Sequence, residues 1–148
     1  MNDAPHDMPI FMLAQLEHTA MVLYETEQFD RAAEHLRMMV QMCPHKGDYW
    51  SLLGVTYRRQ NLKAAALKAL QRAIELDAGD KNALINLGET LCEVGKVREG
   101  VELLRGVFDM AYEPGLAPEE QDYFTRRAGM QLAVIQEVIN GFIITKSQ

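Results

Sequence analysis

The side chains most able to do chemistry in this sequence are few and widely spaced. Cys43 and Cys92 do not form a Cys-x-x-Cys pair, and the two serines, Ser51 and Ser147, lie outside any Gly-x-Ser-x-Gly motif. No Gly-rich phosphate loop and no His-Glu-x-x-His pair occurs. The pattern therefore predicts that the protein is not an enzyme and binds no cofactor.

A metal site has little more support. The four histidines are His6, His18, His35 and His45. His18 and His35 fall on the two helices of one predicted hairpin, where Glu17 or Glu34 could join them around a metal ion. Histidines that face solvent or bond to the protein are the commoner case, and the sequence is interpreted as having no metal site.

Charge and hydropathy limit the partners. A net charge of -6 and a pI near 5.2 argue against nucleic-acid binding, which normally needs a basic footprint, and they suit a basic partner better. Asp3 and Asp7 precede a short apolar run, so no export signal is predicted. The apolar segment from Leu132 to Ile144 is interrupted by polar residues. A cytoplasmic protein with reduced cysteines and no membrane insertion is expected.

A repeat of 34 residues must supply the elements that position these side chains. Small or leucine residues recur at this spacing: Ala20, Gly54 and Gly88; Ala32, Ala66 and Gly100; Leu36, Leu70 and Leu104. Apolar positions at i, i+3, i+4 and i+7 form one stripe of a helix, and helical hairpins of this length bury that stripe only by stacking. A single domain over residues 1–148 is predicted, with repeats at about 13–46, 47–80 and 81–114.

Six helices are expected at about 9–25, 29–42, 47–60, 63–76, 81–94 and 97–111, with a seventh at about 118–143 that begins at Pro118. Asn61 should accept a left-handed turn between two of them. The seventh helix has a broad apolar face. Either it caps the last repeat, or its outer surface holds a second copy or another partner through Phe124, Ile135 and Phe142.

The unit from Gly47 to Asp80 resembles the tetratricopeptide repeat. Trp50, Leu53, Gly54 and Tyr57, followed by Ala66, match the family's signature in identity and spacing. The resemblance implies an all-α fold, a right-handed α-solenoid of three helical hairpins with a long C-terminal capping helix. It also implies that the first helix of each hairpin lines a concave face that binds protein segments.

The family's groove-facing positions, carried onto this chain, predict the partner-binding residues: Glu17, Met21, Tyr24, Ser51, Val55, Arg58, Arg59, Asn82, Ile85 and Glu89. Members that hold acidic chaperone tails use a clamp of Lys, Asn and Arg. Glu17, Met21, Leu52, Asn82 and Asn86 stand at those positions here, so the clamp is absent.

The stretch from Leu23 to Leu104 further resembles the class II chaperones of type III secretion, which hold translocator proteins in the cytoplasm. The likeness rests on Phe29-Asp30-Arg31-Ala32, Leu53-Gly54 and Gly95-Lys96-Val97. It implies a chaperone or adaptor that captures an extended segment of a client, with a homodimer as one possible state. The alternatives are an assembly subunit held through the C-terminal helix and a regulatory module that senses a peptide.

Overall fold

A computed structural model describes residues 9–147, and within this range the chain is helical apart from short connections. The α-helices are α1 (Ile10–Glu25), α2 (Phe29–Met42), α3 (Gly47–Arg59), α4 (Lys63–Leu76), α5 (Lys81–Glu93), α6 (Val97–Ala111) and α7 (Tyr123–Lys146). The chain divides into two compact units, Met1–Ala83 and Leu84–Gln148. The predicted all-α fold is confirmed. The single domain stays a prediction.

The turn inside each hairpin repeats its geometry every 34 residues. Glu27, Asn61 and Gly95 occupy equivalent positions and have φ angles of 59°, 61° and 89°. The residue after each of them donates its N–H to a carbonyl five residues back, at 2.8–2.9 Å. Such a turn satisfies the carbonyls that the ending helix leaves unpaired. The prediction of a left-handed Asn61 is confirmed.

Small residues let the two helices of a hairpin approach closely. In the first unit Ala20, Ala32 and Ala66 are fully buried. A Cβ built on Gly54 would lie 2.5 Å from Cγ of Leu70, the buried leucine of the opposite helix. The spacing of small residues in the sequence therefore reports helix–helix contact directly.

The seventh helix begins later than predicted. Pro118–Glu120 forms a separate 3-10 turn, and α7 starts only after Asp122, whose carboxylate accepts the N–H groups of Phe124 and Thr125 at 2.8 and 3.3 Å. Asp is a strong N-cap, and it outweighs the preference of Pro118 for a first helical position. The acidic residues 119 and 120 thus precede α7 instead of opening it.

By length and composition alone, α7 is the one helix among the described residues that could cross a membrane. Its most apolar 18-residue window has a mean hydropathy of 1.3, and 6% of that window is buried. Gln136, Glu137 and Asn140 interrupt the apolar segment and predict a shorter one, but they are few among the 24 residues of α7. The absence of membrane insertion therefore stays a prediction.

Candidate functional site

A cleft of about 540 Å³ opens in the first unit, between the first helices of its two hairpins and the residues that follow α4. Met21 and Leu52 give it an apolar wall, and Met39, which is 1% exposed, also lines it. The remaining lining residues are polar: Glu17, Lys46, Asp48, Tyr49, Ser51, Asp80 and Asn82. The cleft therefore combines an apolar wall with charged and hydrogen-bonding groups.

Glu17, Lys46 and Tyr49 form a connected network within this lining. Nζ of Lys46 lies 2.8 Å from Oε1 of Glu17 and donates to the Tyr49 hydroxyl at 2.8 Å, and that hydroxyl donates to the same carboxylate oxygen. The ammonium also lies 4.3 Å from the Tyr49 ring centroid, within cation–π range. The network links α1 to the start of α3 and so holds this part of the cleft in shape.

The network shifts the titration of all three groups. Hydrogen bonds from Lys46 and then Tyr49 hold the pKa of Glu17 below its ordinary value, and the bond to Glu17 raises the pKa of Lys46 well above the usual lysine range. Burial, followed by the bond to Glu17, raises the pKa of Tyr49. At neutral pH the pair is therefore a carboxylate and an ammonium beside a protonated phenol.

Four of the predicted partner-binding residues come together in this cleft: Glu17, Met21, Ser51 and Asn82. Met21 is 43% exposed, whereas Ser51 is 5% exposed. That these residues bind a partner stays a prediction, but the structure brings them to one cavity.

The other predicted residues of the first unit do not line this cleft. Tyr24 packs edge-on against Phe29, with ring centroids 5.6 Å apart. The Arg59 guanidinium lies 4.9 Å from the same ring centroid and 3.3 Å from the Glu27 carboxylate. Tyr24 and Arg59 thus both contact Phe29, next to the turn of the first hairpin. Val55 and Arg58 are half-buried.

In the second unit, two predicted groove residues are covered by the chain itself. Ile85 is fully buried in a cluster with Leu104, Val107 and Ala128 of α7, so the prediction that it faces a partner in the groove is wrong. Glu89 is 5% exposed, and its carboxylate accepts Nη2 and Nε of Arg127 at 2.8 and 3.2 Å. The helix α7 causes both outcomes, because it packs on the face of α5 that the repeat pattern assigned to partners.

The proximal and distal halves of α7 have different environments. Phe124 and Ile135 pack against the buried cluster of the second unit, which is the capping arrangement. Phe142 is 66% exposed, and Val138 and Ile139 beside it are 54% and 39% exposed. Of the three residues predicted for a second interface, only Phe142 is open to solvent.

The side chains considered for chemistry remain separate. The Nδ1 atom of His35 lies 2.9 Å from the Arg31 carbonyl of its own helix, and His18 is exposed. Burial, and then the nearby Glu93 and Glu89, raise the pKa of the Cys92 thiol, which disfavours the reactive thiolate. Within residues 9–147, no three His, Cys, Asp or Glu side chains are grouped to hold a metal ion.

Sequence reasoning missed part of the cleft lining. Lys46 and Asp80 lie in the connections between hairpins, and Tyr49 and Met39 occupy positions that the repeat pattern assigns to packing. The family's groove positions count only residues along the first helix of each hairpin. A signal was nevertheless present, because Lys46 and Asp80 are charged and each lies next to the start of a first helix.

Paired helices, small residues at the contacts and left-handed turns every 34 residues give this chain a tetratricopeptide-like fold. No family model matches the sequence. A type III secretion complex from Aeromonas hydrophila has a similar structure at 16% identity, with a TM-score of 0.77 over 89% of this chain and 85% of that one. These values show the fold alone.

Two other solved structures are similar at 16% identity. The translocator chaperone SycD of Yersinia enterocolitica gives a TM-score of 0.72 over 82% of this chain and 88% of its own. PcrH of Pseudomonas aeruginosa, solved in complex with the chaperone binding region of PopD, gives 0.74 over 90% and 97%. The structural resemblance to class II chaperones is thereby supported.

A curated relative points to the same kind of repeat. The peroxisomal targeting signal receptor of Eremothecium gossypii is 28% identical over 96 residues, which is 65% of this chain. The chain spans only 17% of that receptor's length. The similarity therefore covers a segment of the receptor, and it does not assign the activity of the whole receptor to this chain.

Proposed function

We propose that this protein is a non-enzymatic chaperone or adaptor of the cytoplasm that captures an extended segment of a client protein. The observation that carries the proposal is the cleft of the first unit, where Met21, Leu52 and Met39 supply apolar surface beside hydrogen-bonding groups. A segment that folds or orders on binding loses entropy, so a few well-packed anchors must provide most of the affinity. An apolar wall edged by polar groups suits such anchors.

The structural comparisons support this proposal. PcrH, whose fold is similar, has been solved with the chaperone binding regions of both PopD and PopB. By analogy, the client of this chain would be held in the cytoplasm until it is delivered, and type III secretion is the system that the resemblance suggests.

A selection experiment tests the proposal without a known client. The purified chain is used to select binders from a displayed library of random dodecapeptides, and fluorescence anisotropy then measures the affinity of the selected peptides. Met21→Glu places a charge on the apolar wall and should weaken binding at least tenfold, because a carboxylate must then be desolvated against the peptide. Failure to select any peptide would refute the proposal.

The chain offers a close control for this variant. Met38 lies on α2, does not line the cleft, and is 44% exposed, compared with 43% for Met21. Met38→Glu changes the same residue type at the same exposure and should leave peptide affinity unchanged. Equal affinities for the two variants would move the binding site away from the cleft.

A second candidate function, an assembly subunit, is favoured by the distal half of α7. The stripe that packs against the second unit, Phe124, Ala128, Leu132 and Ile135, continues at helical spacing into exposed residues Val138, Ile139 and Phe142. An apolar hollow of about 730 Å³ lies beside α7 and is lined in part by Phe108, Tyr112 and Met130. Exposed apolar surface of this extent commonly marks an interaction site.

Light scattering on a size-exclusion column tests this second function. If the stripe forms an interface, with a second copy or with another subunit, Phe142→Glu should lower the measured mass of the assembly. Ile144→Glu is the control, because Ile144 is 62% exposed and lies about 200° around the helix from Phe142. A mass that neither variant changes would count against an assembly role for the stripe.

A further inference from the structure

The polar part of the cleft carries more negative than positive charge. Glu17, Asp48 and Asp80 line it together with a single cation, Lys46, and that cation is already paired with Glu17 at 2.8 Å. Within residues 9–147, Asp48 and Asp80 lack an ion-pair partner. Asp80 accepts the N–H of Ala83 at 2.9 Å, which uses one of its two oxygens. The cleft therefore retains acceptor capacity and two carboxylates without an ion-pair partner.

A buried hydroxyl in the same cleft is left without a bond. Ser51 is 5% exposed, and its Oγ has no hydrogen-bond partner among the described residues. Other helical hydroxyls, such as Thr56 and Thr19, donate to the carbonyl four residues back at 2.7 Å, and Ser51 does not. Leaving a buried polar group unpaired destabilises a folded protein, because the group has lost its bonds to water. Such a cost points to a group that a bound molecule satisfies.

Asp48 and Ser51 are placed to act together. They are three residues apart on α3, which sets their side chains on one face of the helix about a turn apart. The apolar residues Met21 and Leu52 line the same cleft. A long side chain with an aliphatic stem and a cationic head fits this combination of apolar wall and acceptors. A metal ion fits it less well, because no three acidic, His or Cys side chains among the described residues lie close enough together to hold one.

We propose that the cleft binds a basic side chain, Arg or Lys, of the client segment. The cationic head donates hydrogen bonds to Asp48, Asp80 and Ser51, while the stem lies against Met21 and Leu52. This inference rests on the proposed peptide-binding function and specifies one residue of the segment. The net charge of -6 would also favour the approach of a basic segment over long range.

Two short peptides that differ in a single charge test the proposal. The probes are acetyl-Ala-Leu-Arg-Leu-Ala-amide and the same peptide with citrulline, which keeps the shape of arginine but is neutral. Titration into the ¹⁵N-labelled full chain should move the amide signals of residues 46–52 and 80–82. At low salt the arginine peptide should bind roughly tenfold more tightly, as expected for charge-assisted hydrogen bonds.

Variants assign the preference to this cleft. Asp48→Asn combined with Asp80→Asn should lower the affinity for the arginine peptide to that of the citrulline peptide, and Asn at position 80 still caps α5. Glu34→Gln removes a carboxylate from the exposed surface of α2 and should leave the tenfold ratio intact. Ser51→Ala should weaken arginine binding yet raise the melting temperature of the free protein, an opposition that a purely structural serine would not produce.

Three results would overturn the proposal: equal binding of the two peptides, a ratio that survives in the double Asn variant, or no binding of the arginine peptide. None of these is the failure of the proposed function itself. The library selection tests the proposed function separately. If it yields only peptides without a basic residue, the protein still captures peptides, and only the proposal of a bound basic side chain is overturned.

Discussion

Replacing Gly100 by alanine should destabilise the second unit, although alanine is the better helix former. A Cβ at this position would lie 2.5 Å from Sγ of Cys92 and 2.5 Å from the carbonyl oxygen of Gly88. The sulfur can rotate away, but the carbonyl belongs to the backbone of α5. The helices α5 and α6 must therefore move apart to admit one methyl group.

The magnitude follows from two opposing terms. Overpacking of this kind costs about 3 kcal/mol when backbone must shift, and the change from glycine to alanine in a helix returns about 1 kcal/mol. A net loss of about 2 kcal/mol in the free energy of unfolding is expected. Gly106 provides the control on the same helix, because a Cβ there would meet nothing within 4 Å. Gly106→Ala should stabilise the protein by about 0.8 kcal/mol.

Urea unfolding followed by circular dichroism at 222 nm measures both variants, with an unchanged m-value as the condition for comparing their free energies. The two should differ by about 3 kcal/mol, with wild type between them. If Gly100→Ala were as stable as Gly106→Ala, the close contact between α5 and α6 would be refuted. The 34-residue spacing of small positions would then need an explanation other than helix packing.

Three further changes have defined outcomes. Arg127→Met should destabilise the second unit by about 2–4 kcal/mol in urea unfolding, because it withdraws a bidentate partner from Glu89, which is 5% exposed; a loss below about 0.5 kcal/mol would contradict this. Since the pKa of Glu17 is lowered on folding, its contribution to stability is present above pH 4.5 and is lost as the pH falls through the lower folded pKa. Glu17→Gln should therefore flatten the fall in the free energy of unfolding on the acid side. An unchanged slope would show that the network is not its cause. Glu27→Asn should stabilise the first unit by about 0.5–1 kcal/mol in thermal melts, because asparagine tolerates the φ of 59° better than glutamate does; a destabilisation would show that the contact between Glu27 and Arg59 outweighs the backbone.

Most of the fold could be predicted because each hairpin encodes its own boundaries. Helix bounds such as Phe29–Met42 and Lys63–Leu76 match the predicted ones because apolar spacing and turn residues are local signals. The predicted start of α7 was wrong because two local signals competed. Pro118 and Asp122 can each open a helix, and the carboxylate of Asp122 satisfies two backbone N–H groups at once.

The candidate site was less predictable, because it depends on contacts between segments far apart in sequence. Ser51 and Met21 were found through the repeat pattern, which states which way each residue of a first helix faces. The bonds from Lys46 to Glu17 and Tyr49 join α1 to the region where α3 begins, and no periodicity encodes that contact. The position of a residue in the repeat predicts which way its side chain faces, whereas the pairing of charged side chains can be seen only in the folded chain.

The second unit shows what a repeat pattern alone omits. Ile85 and Glu89 stand at positions that line the partner-binding face in the family's scheme, yet α7 supplies Ala128 against the one and Arg127 against the other. The helix α7 follows the last repeat and is not part of the 34-residue pattern. Its own side chains therefore decide where it packs, and the pattern does not predict that position. The contacts it makes are those of a bound partner: an apolar anchor in the buried cluster and a charge pair beside it. The face of α5 around Ile85 and Glu89 is therefore occupied within its own chain, whereas the cleft proposed for the client segment in the first unit keeps both apolar surface and the unpaired Ser51 hydroxyl.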